Sequence, residues 1–439
     1  MKYTNSLFVY HINGVFFFLQ MLSILSKELI YFIFFKVNTI ERIASQLASI
    51  NILYVKIFQA IALNNQILDE KMSEVLMKYT DNAPWDLDDI DYETLLGICD
   101  AGFSFPDGFE SPINSGMISL VFKANKTNLN KKSLQPVIIK LKRKNIEEKL
   151  QNAIDKLLYV VSILSAIPFF KQYHIYELIE KNVEIIIKQT DFQEEIKSMI
   201  KMKENCQNIK YVKIPSVYEL TNYPNVIVME YIKGTPFHLL KSSDYESFAK
   251  LVVKFGCVTT FIHGFAHGDL HAGNILFIKD ETNEKYKYKL GILDFGIMYE
   301  IEEDFKDFLH EIVTDINEFD LLRLANKIMQ SGKFIQPLET IKSLPLVNYN
   351  NIVKIIKVIL TETLHSSDSQ VKIYHFVNRF HHYMECLPNY KLYLSDNFVK
   401  TQLAIAMTYG LTNKLCNSDC MSVFNVVSNE MFHTDLLKD

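Results

Sequence analysis

The sequence predicts an α+β protein in which a small mixed sheet is followed by a larger, mostly helical half. Three observations predict it. Ile118–Ala124 and Val137–Leu141 are apolar runs joined by a polar Lys/Asn turn, which reads as a β-hairpin. Val217–Glu219 and Val226–Tyr231 read as further strands. From Tyr245 onward apolar residues recur at helical spacing, broken by a loop-and-strand region from His267 to Phe295.

Upstream of the sheet, Tyr3–Ser26 contains no Asp, Glu, Lys or Arg. Its length suits a membrane span, which needs ~20 residues. His11, Asn13 and Gln20 interrupt it, and Lys27 and Glu28 follow at once. No small-residue cleavage site appears, so a secretory signal is not expected. Residues 1–39 are therefore a candidate membrane anchor, with a buried or interfacial helix as the alternative. Ile40–Leu63 carries apolar residues at helical spacing and places Lys56 and Gln59 on one face. Asp81–Glu93 is acidic and holds Pro84 and the single tryptophan, Trp85; it reads as a loop into a new element. Ile146–Ser165 and Phe192–Glu204 read as helices. The expected organisation is an N-terminal segment (1–39), a helical extension (40–100), a sheet-containing lobe (101–232) and a helical lobe (233–439).

With 439 residues, the chain can hold two or three domains, and its 49% hydrophobic and 22% charged content is that of an ordinary globular protein. The net charge of −5 gives no reason to expect a nucleic-acid partner. The six cysteines are scattered without a CxxC pair, and nothing near Cys416 and Cys420 completes a zinc set. Free thiols fit a reducing compartment. The expected location is intracellular, cytoplasmic or membrane-associated, not secreted.

The strongest chemical signal is His267-Gly-Asp-Leu-His-Ala-Gly-Asn274, followed by Ile292-Leu-Asp294-Phe-Gly296. Phosphoryl transfer needs oxygens that hold Mg²⁺ against the phosphates and an acceptor beside the attacking oxygen. Asp269 precedes Asn274 by the spacing of a kinase catalytic loop, which places the first on the nucleophile and the second on metal. Asp294, in an Asp-Phe-Gly triplet after an apolar strand, is the second metal ligand. In Val137-Ile-Ile-Lys140 the lysine is set to meet the phosphates, and Glu195 is the candidate to orient it; Glu194 is expected to be solvated.

The phosphate loop is unusual. Counting back from Val121, the three glycine positions of a kinase loop hold Asn114, Gly116 and Ser119. One glycine remains, so the backbone is stiffer and approaches phosphates less closely. After Asp294, Phe305, Phe308, Leu309, Ile312 and Val313 already have helical spacing, and no Ala-Pro-Glu element appears. Peptide substrates dock on that missing segment, so a lipid or small-molecule acceptor, or hydrolysis of ATP alone, is expected.

Over Ile40–Cys416 the chain resembles the UbiB/ADCK (aarF-domain) atypical kinases of ubiquinone metabolism. That family's K-x-G-Q motif appears as Lys56-Ile-Phe-Gln59, with Phe58 in place of glycine. Its alanine-rich loop falls on Pro112–Val121, and its E-x-D falls on Gln189-Thr-Asp191, followed by Glu195. The resemblance implies a protein-kinase-like bilobal fold with an N-terminal helical extension. It also implies ATP or ADP with Mg²⁺ as cofactors. Nucleotide contacts are implied at Ile113, Asn114, Ser115, Gly116, Met117, Val121, Lys140 and Glu230, and catalysis at Asp269, Lys140 and Glu195. Asn274 and Asp294 are the implied metal ligands. Lys56, Gln59, Gln189 and Asp191 are the family-specific set, with Lys56 paired to Asp191. In the family, K-x-G-Q and the loop occlude the peptide site; Phe58 and Gln189 alter that brake here. The expected function is a Mg-ATP-dependent atypical kinase or ATPase acting on a lipid or small molecule, at a membrane surface or in solution. A non-catalytic nucleotide-binding regulator and a small-molecule phosphotransferase remain the alternatives.

Overall fold

The computed structural model describes residues 2–35, 39–57, 83–128, 133–166, 175–218, 220, 222–316, 320–365, 391–416, 423 and 427. The chain divides into two compact units, residues 1–196 with 216–231, and residues 197–215 with 232–439.

The first unit opens with α1 (Lys2–Phe35) and α2 (Thr39–Ile50), followed by α3 (Tyr92–Asp100). Its sheet holds β1 (Phe103–Ser104), β2 (Asn114–Ser115), β3 (Ser119–Asn128), β4 (Ser133–Lys142), β6 (Val217–Tyr218) and β7 (Val226–Glu230); β5 (Val212–Lys213) lies in the second unit. The order is β1-β3-β4-β7-β6, with β2 beside β3, and every pairing is antiparallel. Alternation sets which face is buried. Leu120, Phe122 and Ala124 on β3 lie opposite Leu141, Ile139 and Val137 on β4. All six are at most 1% exposed and form the core with Ile90, Leu95, Ile98, Val226 and Val228. Lys140, one residue out of phase, therefore projects from the other face. The unit also contains α4 (Ile146–Ser165), α5 (Ile175–Lys188) and the first turn of α6 (Phe192–Asn205).

The second unit takes in residues 197–215, which the sequence reading places with the small lobe. The reason is β5, which pairs in parallel with β10 (Tyr288–Ile292), itself antiparallel to β9 (Ile275–Lys279). Helix α7 (Tyr245–Cys257) runs into a π-helical turn at Val258–Ile262 and then β8 (Phe265–His267), which pairs with β11 (Met298–Glu300). Helices α8 (Glu303–Ile316), α9 (Leu321–Ser331), α10 (Leu338–Ser343), α11 (Leu346–His365) and α12 (Asp396–Leu415) follow, with β12 (Ile335–Gln336) paired to β13 (Tyr393–Leu394). Phe305, Phe308, Leu309 and Ile312 line one stripe of α8 and are buried against Leu324, Ile328, Ile352 and Ile356.

Candidate active site

In the second unit, His267 organises the loops around it. It is 3% exposed. Its Nδ1 accepts from the Asp269 backbone N–H at 3.1 Å, which leaves the proton on Nε2 to donate to the Asp294 carbonyl at 2.8 Å. Burial pushes its pKa down and holds the ring in this neutral tautomer. A single imidazole thus ties the Asp269 loop to the Asp294 loop, and the backbone bond from Leu293 to Asn274, 2.9 Å, ties them again. Sequence reasoning quoted His267 within the motif but gave it no role.

The Asn274 amide nitrogen donates to the Asp269 carbonyl at 2.9 Å, so Oδ1 is the acceptor it has for a cation. Asp294 Oδ1 accepts from Gly296 N–H at 3.0 Å, which fixes the carboxylate. Two oxygen donors of this kind suit Mg²⁺, which binds through one or two carboxylates together with substrate phosphates. The Asp269 carboxylate is about one quarter exposed, and His271 Nε2 stands 3.7 Å from its Oδ2. Gly268 is required here: a Cβ at this position would lie 2.6 Å from Ile297 Cγ2 and 2.8 Å from the Tyr299 ring. Burial pushes the Tyr299 phenol up to about 12, and the charge of Asp269 adds to the shift.

In the first unit, Lys140 Nζ meets both Glu195 oxygens, at 2.6 and 2.9 Å. The two side chains are 12% and 3% exposed. Glu194, next in sequence, is exposed. What places Glu195 is the start of α6. Asp191 Oδ1 accepts from the backbone N–H of Gln193 (2.9 Å) and Glu194 (3.3 Å), which makes it the helix N-cap. Among the described residues Lys56 makes no ion pair, and the Asp191 carboxylate serves its own helix. Gln189 is half-buried at the end of the preceding turn. Phe58 and Gln59 lie outside the described residues.

The phosphate loop is a tight hairpin. Asn114 pairs with Val121 and Ser115 with Leu120, and Gly116 N–H donates to Ser119 O at 2.9 Å. Ile113 and Asn114 are exposed, whereas Ser115 and Met117 are 1% and 4% exposed. The Ser115 hydroxyl donates to Ala83 O (2.7 Å) and accepts from Arg143 Nη2 (2.7 Å). Its side chain is therefore engaged within the fold. The Glu230 carboxylate accepts from Ser216 N–H (3.2 Å) and Oγ (3.1 Å), clamping β7 to the residue before β6. Arg143, to which the sequence assigned no role, also donates to the carbonyls of Pro84 and Gly116 and to Asp89.

A family model for the ABC1 atypical kinase-like domain matches residues 100–328, more than half of the 439-residue chain. That stretch holds Lys140, Glu195, Asp269, Asn274 and Asp294 but not Lys56. The "Probable protein kinase UbiB" of Shewanella oneidensis is 29% identical over 310 residues, 66% of this chain and 53% of its own length. The "Probable serine/threonine-protein kinase abkB" of Dictyostelium discoideum is 27% identical over 272 residues, 59% of this chain and 39% of its own. The chain thus spans about half the length of its UbiB relatives. Among solved structures, Rv3197 from Mycobacterium tuberculosis, in complex with erythromycin, aligns with a TM-score of 0.49 at 15% identity, over 87% of this chain and 92% of that one. The matched domain and the kinase-type residues within it agree: the chain belongs to the ABC1 atypical kinase-like family, the UbiB/ADCK proteins.

Proposed function

We propose that this atypical kinase binds Mg-ATP and transfers or hydrolyses its γ-phosphate, with a lipid or small molecule as acceptor, in support of quinone-type lipid metabolism. The observation that carries the reading is the His267 bridge, which holds the Asp269 and Asp294 loops together with Asn274 beside them. Lys140, oriented by Glu195, neutralises phosphate charge. Asn274 and Asp294 would hold Mg²⁺, which supplies charge neutralisation on the phosphate oxygens. Asp269 accepts the proton of the attacking hydroxyl or water as its oxygen bonds to phosphorus; the breaking P–O bond leaves its electron pair on the nucleoside diphosphate. His267 keeps the Asp269 backbone fixed and takes no proton itself.

The non-peptide acceptor rests on the short run of chain after Asp294. Residues 298–300 form β11 against β8, and α8 begins at Glu303. No stretch remains there for a peptide platform. The test is labelled ATP with purified protein and lipid extract, against an Asp269→Asn variant. Transfer or hydrolysis abolished in the variant supports the reading. Equal turnover in both proteins overturns it.

A further inference from the structure

Two rings stand by the carboxylate of Asp269, and all three residues belong to the second unit. One ring is His271. Its Nδ1 accepts from the Gly273 backbone N–H at 3.1 Å, which leaves the proton on Nε2, 3.7 Å from Asp269 Oδ2. The other ring is Tyr299, on β11. Backbone pairing brings it there. In the β8–β11 ladder Met298 lies opposite His267 and Tyr299 opposite Ala266, and Gly268 N–H donates to Ile297 O at 2.9 Å. The Tyr299 ring lies against Gly268, the residue that precedes Asp269. A Cβ on Gly268 would be 2.8 Å from Tyr299 Cε2 and 2.9 Å from Cζ, so the edge that bears the hydroxyl covers this backbone. The ring also packs on the core of the second unit. Glu300, next on the strand, pairs with Lys201 at 2.6 Å, and its carbonyl accepts from Lys400 at 3.3 Å; both contacts hold the strand in place.

The tip of Tyr299 is not used by the fold. Among the described residues its hydroxyl makes no hydrogen bond, yet its oxygen is not sealed in the core. Burial, with the charge of Asp269 adding to it, pushes the phenol up to about 12, so it stays an O–H donor at neutral pH. An attacking oxygen has use for such a donor. A hydroxyl gives its proton to Asp269 and one lone pair to phosphorus, which leaves a second lone pair to accept from Tyr299. The carbon bearing that oxygen must then fit against the aromatic edge. Water brings no carbon, and an unbranched primary alcohol brings one chain. A secondary alcohol brings two.

We propose that Tyr299 selects the phosphoryl acceptor: its O–H donates to the attacking oxygen, and its ring admits water or an unbranched primary hydroxyl while turning away a hydroxyl on a branched carbon. The proposal deepens the functional reading above and rests on it. In the step, the acceptor proton passes to the Asp269 carboxylate and the acceptor oxygen bonds to the γ-phosphorus. The broken P–O bond leaves its electron pair on the nucleoside diphosphate. Tyr299 keeps its own proton.

The experiment follows the label of γ-labelled ATP into inorganic phosphate and alkyl phosphate, in water containing propan-1-ol or propan-2-ol at equal concentration. The ratio of the two products is set within each active molecule, so partial unfolding of a variant does not alter it. Wild type should form the alkyl phosphate from propan-1-ol and at least ~tenfold less from propan-2-ol, because the second branch overpacks the site. Tyr299→Ala should bring the two alcohols to near equality. Tyr299→Phe keeps the ring over Gly268 and should keep the preference, while kcat falls ~tenfold for one lost hydrogen bond and KM for ATP stays the same. Four results would each overturn the proposal. They are a wild type that phosphorylates neither alcohol, a wild type that uses both equally, a preference that survives Tyr299→Ala, and a Tyr299→Phe variant with the kcat of wild type. Failure of the underlying reading looks different: turnover in Asp269→Asn equal to that of wild type, with or without alcohol, overturns both.

Discussion

Arg143 and Asp89 form a buried ion pair, Nη1 to Oδ2 at 2.8 Å, with side chains 7% and 9% exposed. The pair fastens the phosphate hairpin to the segment ahead of α3, because the same guanidinium also holds Pro84 O, Ser115 Oγ and Gly116 O. Burial pulls the Arg143 pKa below the usual guanidinium value, and Asp89 opposes the shift. Lys149 adds a second cation at 2.7 Å from Asp89. Removing one member of a buried pair leaves the other uncompensated and costs ~3–5 kcal/mol. Arg143→Met should therefore destabilise the protein by about that much in urea unfolding, and Asp89→Leu similarly. The double variant should lose less than the sum. Additive losses would show that the two side chains act separately.

Asp191 acts on the site through the helix it caps. Asp191→Ala should cost ~1 kcal/mol of stability and loosen the first turn of α6, which carries Glu195. ATP turnover should fall, and Asp191→Asn, which keeps a capping oxygen, should restore most of it. If Asp191 acts instead as the charge partner of Lys56, the amide will fail to rescue.

Asp294→Asn removes a metal-holding charge while retaining the oxygen that accepts from Gly296 N–H. Mg-nucleotide should raise the melting temperature of wild type, since a ligand that binds only the folded state stabilises it by ~2.7 kcal/mol at one hundred times its Kd. The shift should largely vanish in the variant. No shift in the wild type would remove the basis for nucleotide binding.

The candidate site residues stand out in the sequence because each motif is local. Asp269, Asn274 and Asp294 sit in two short loops, and Lys140 lies on a strand whose alternation is plain in the sequence. The Arg143–Asp89 pair was not legible: 54 residues separate its members, and nothing in either neighbourhood names the other. The end of α1 is not marked by its charges either. Lys27 and Glu28 look like a boundary, but Arg42 and Gln46 satisfy Glu28, so the helix carries on. That residues 197–215 fall in the second unit was not legible, because β5 is two residues long and its partner β10 lies far along the chain.

Asp244 predicts an acid-sensitive step. It is 5% exposed and accepts from Lys279 Nζ (2.8 Å) and Tyr288 OH (3.0 Å). The Lys279 hydrogen bond, with help from Tyr288, holds its pKa below the ordinary carboxylate value, against the opposing effect of burial. The folded pKa is thus lower than the unfolded one, ~3.9. The stability it contributes is complete above ~3.9 and is lost as pH falls below it. Asp244→Asn should be ~1.5–3 kcal/mol less stable than wild type at pH 7. That difference should shrink when both are unfolded at pH 3. A difference that does not change with pH would mean that the carboxylate charge contributes nothing.

The protein should phosphorylate generic peptides poorly. Three features motivate this. No Ala-Pro-Glu element follows Asp294, and α8 begins at Glu303. His271 stands two residues after Asp269, where serine/threonine kinases carry lysine, and its Nε2 lies 3.7 Å from the Asp269 carboxylate. Helical residues at 39–50 and 52–57 precede the sheet as an extension that ordinary protein kinases lack. A misplaced acceptor hydroxyl forfeits ~7–11 kcal/mol of proximity advantage. Water needs no docking platform, so hydrolysis of ATP survives where peptide transfer does not. Phe58 and Gln189 argue the other way, since both depart from the residues that close the peptide site in the family. Myelin basic protein or casein with labelled ATP decides between them. ATP turnover with little label on protein is the expected result. Strong labelling that disappears in Asp269→Asn would mean that the two departures have reopened the site.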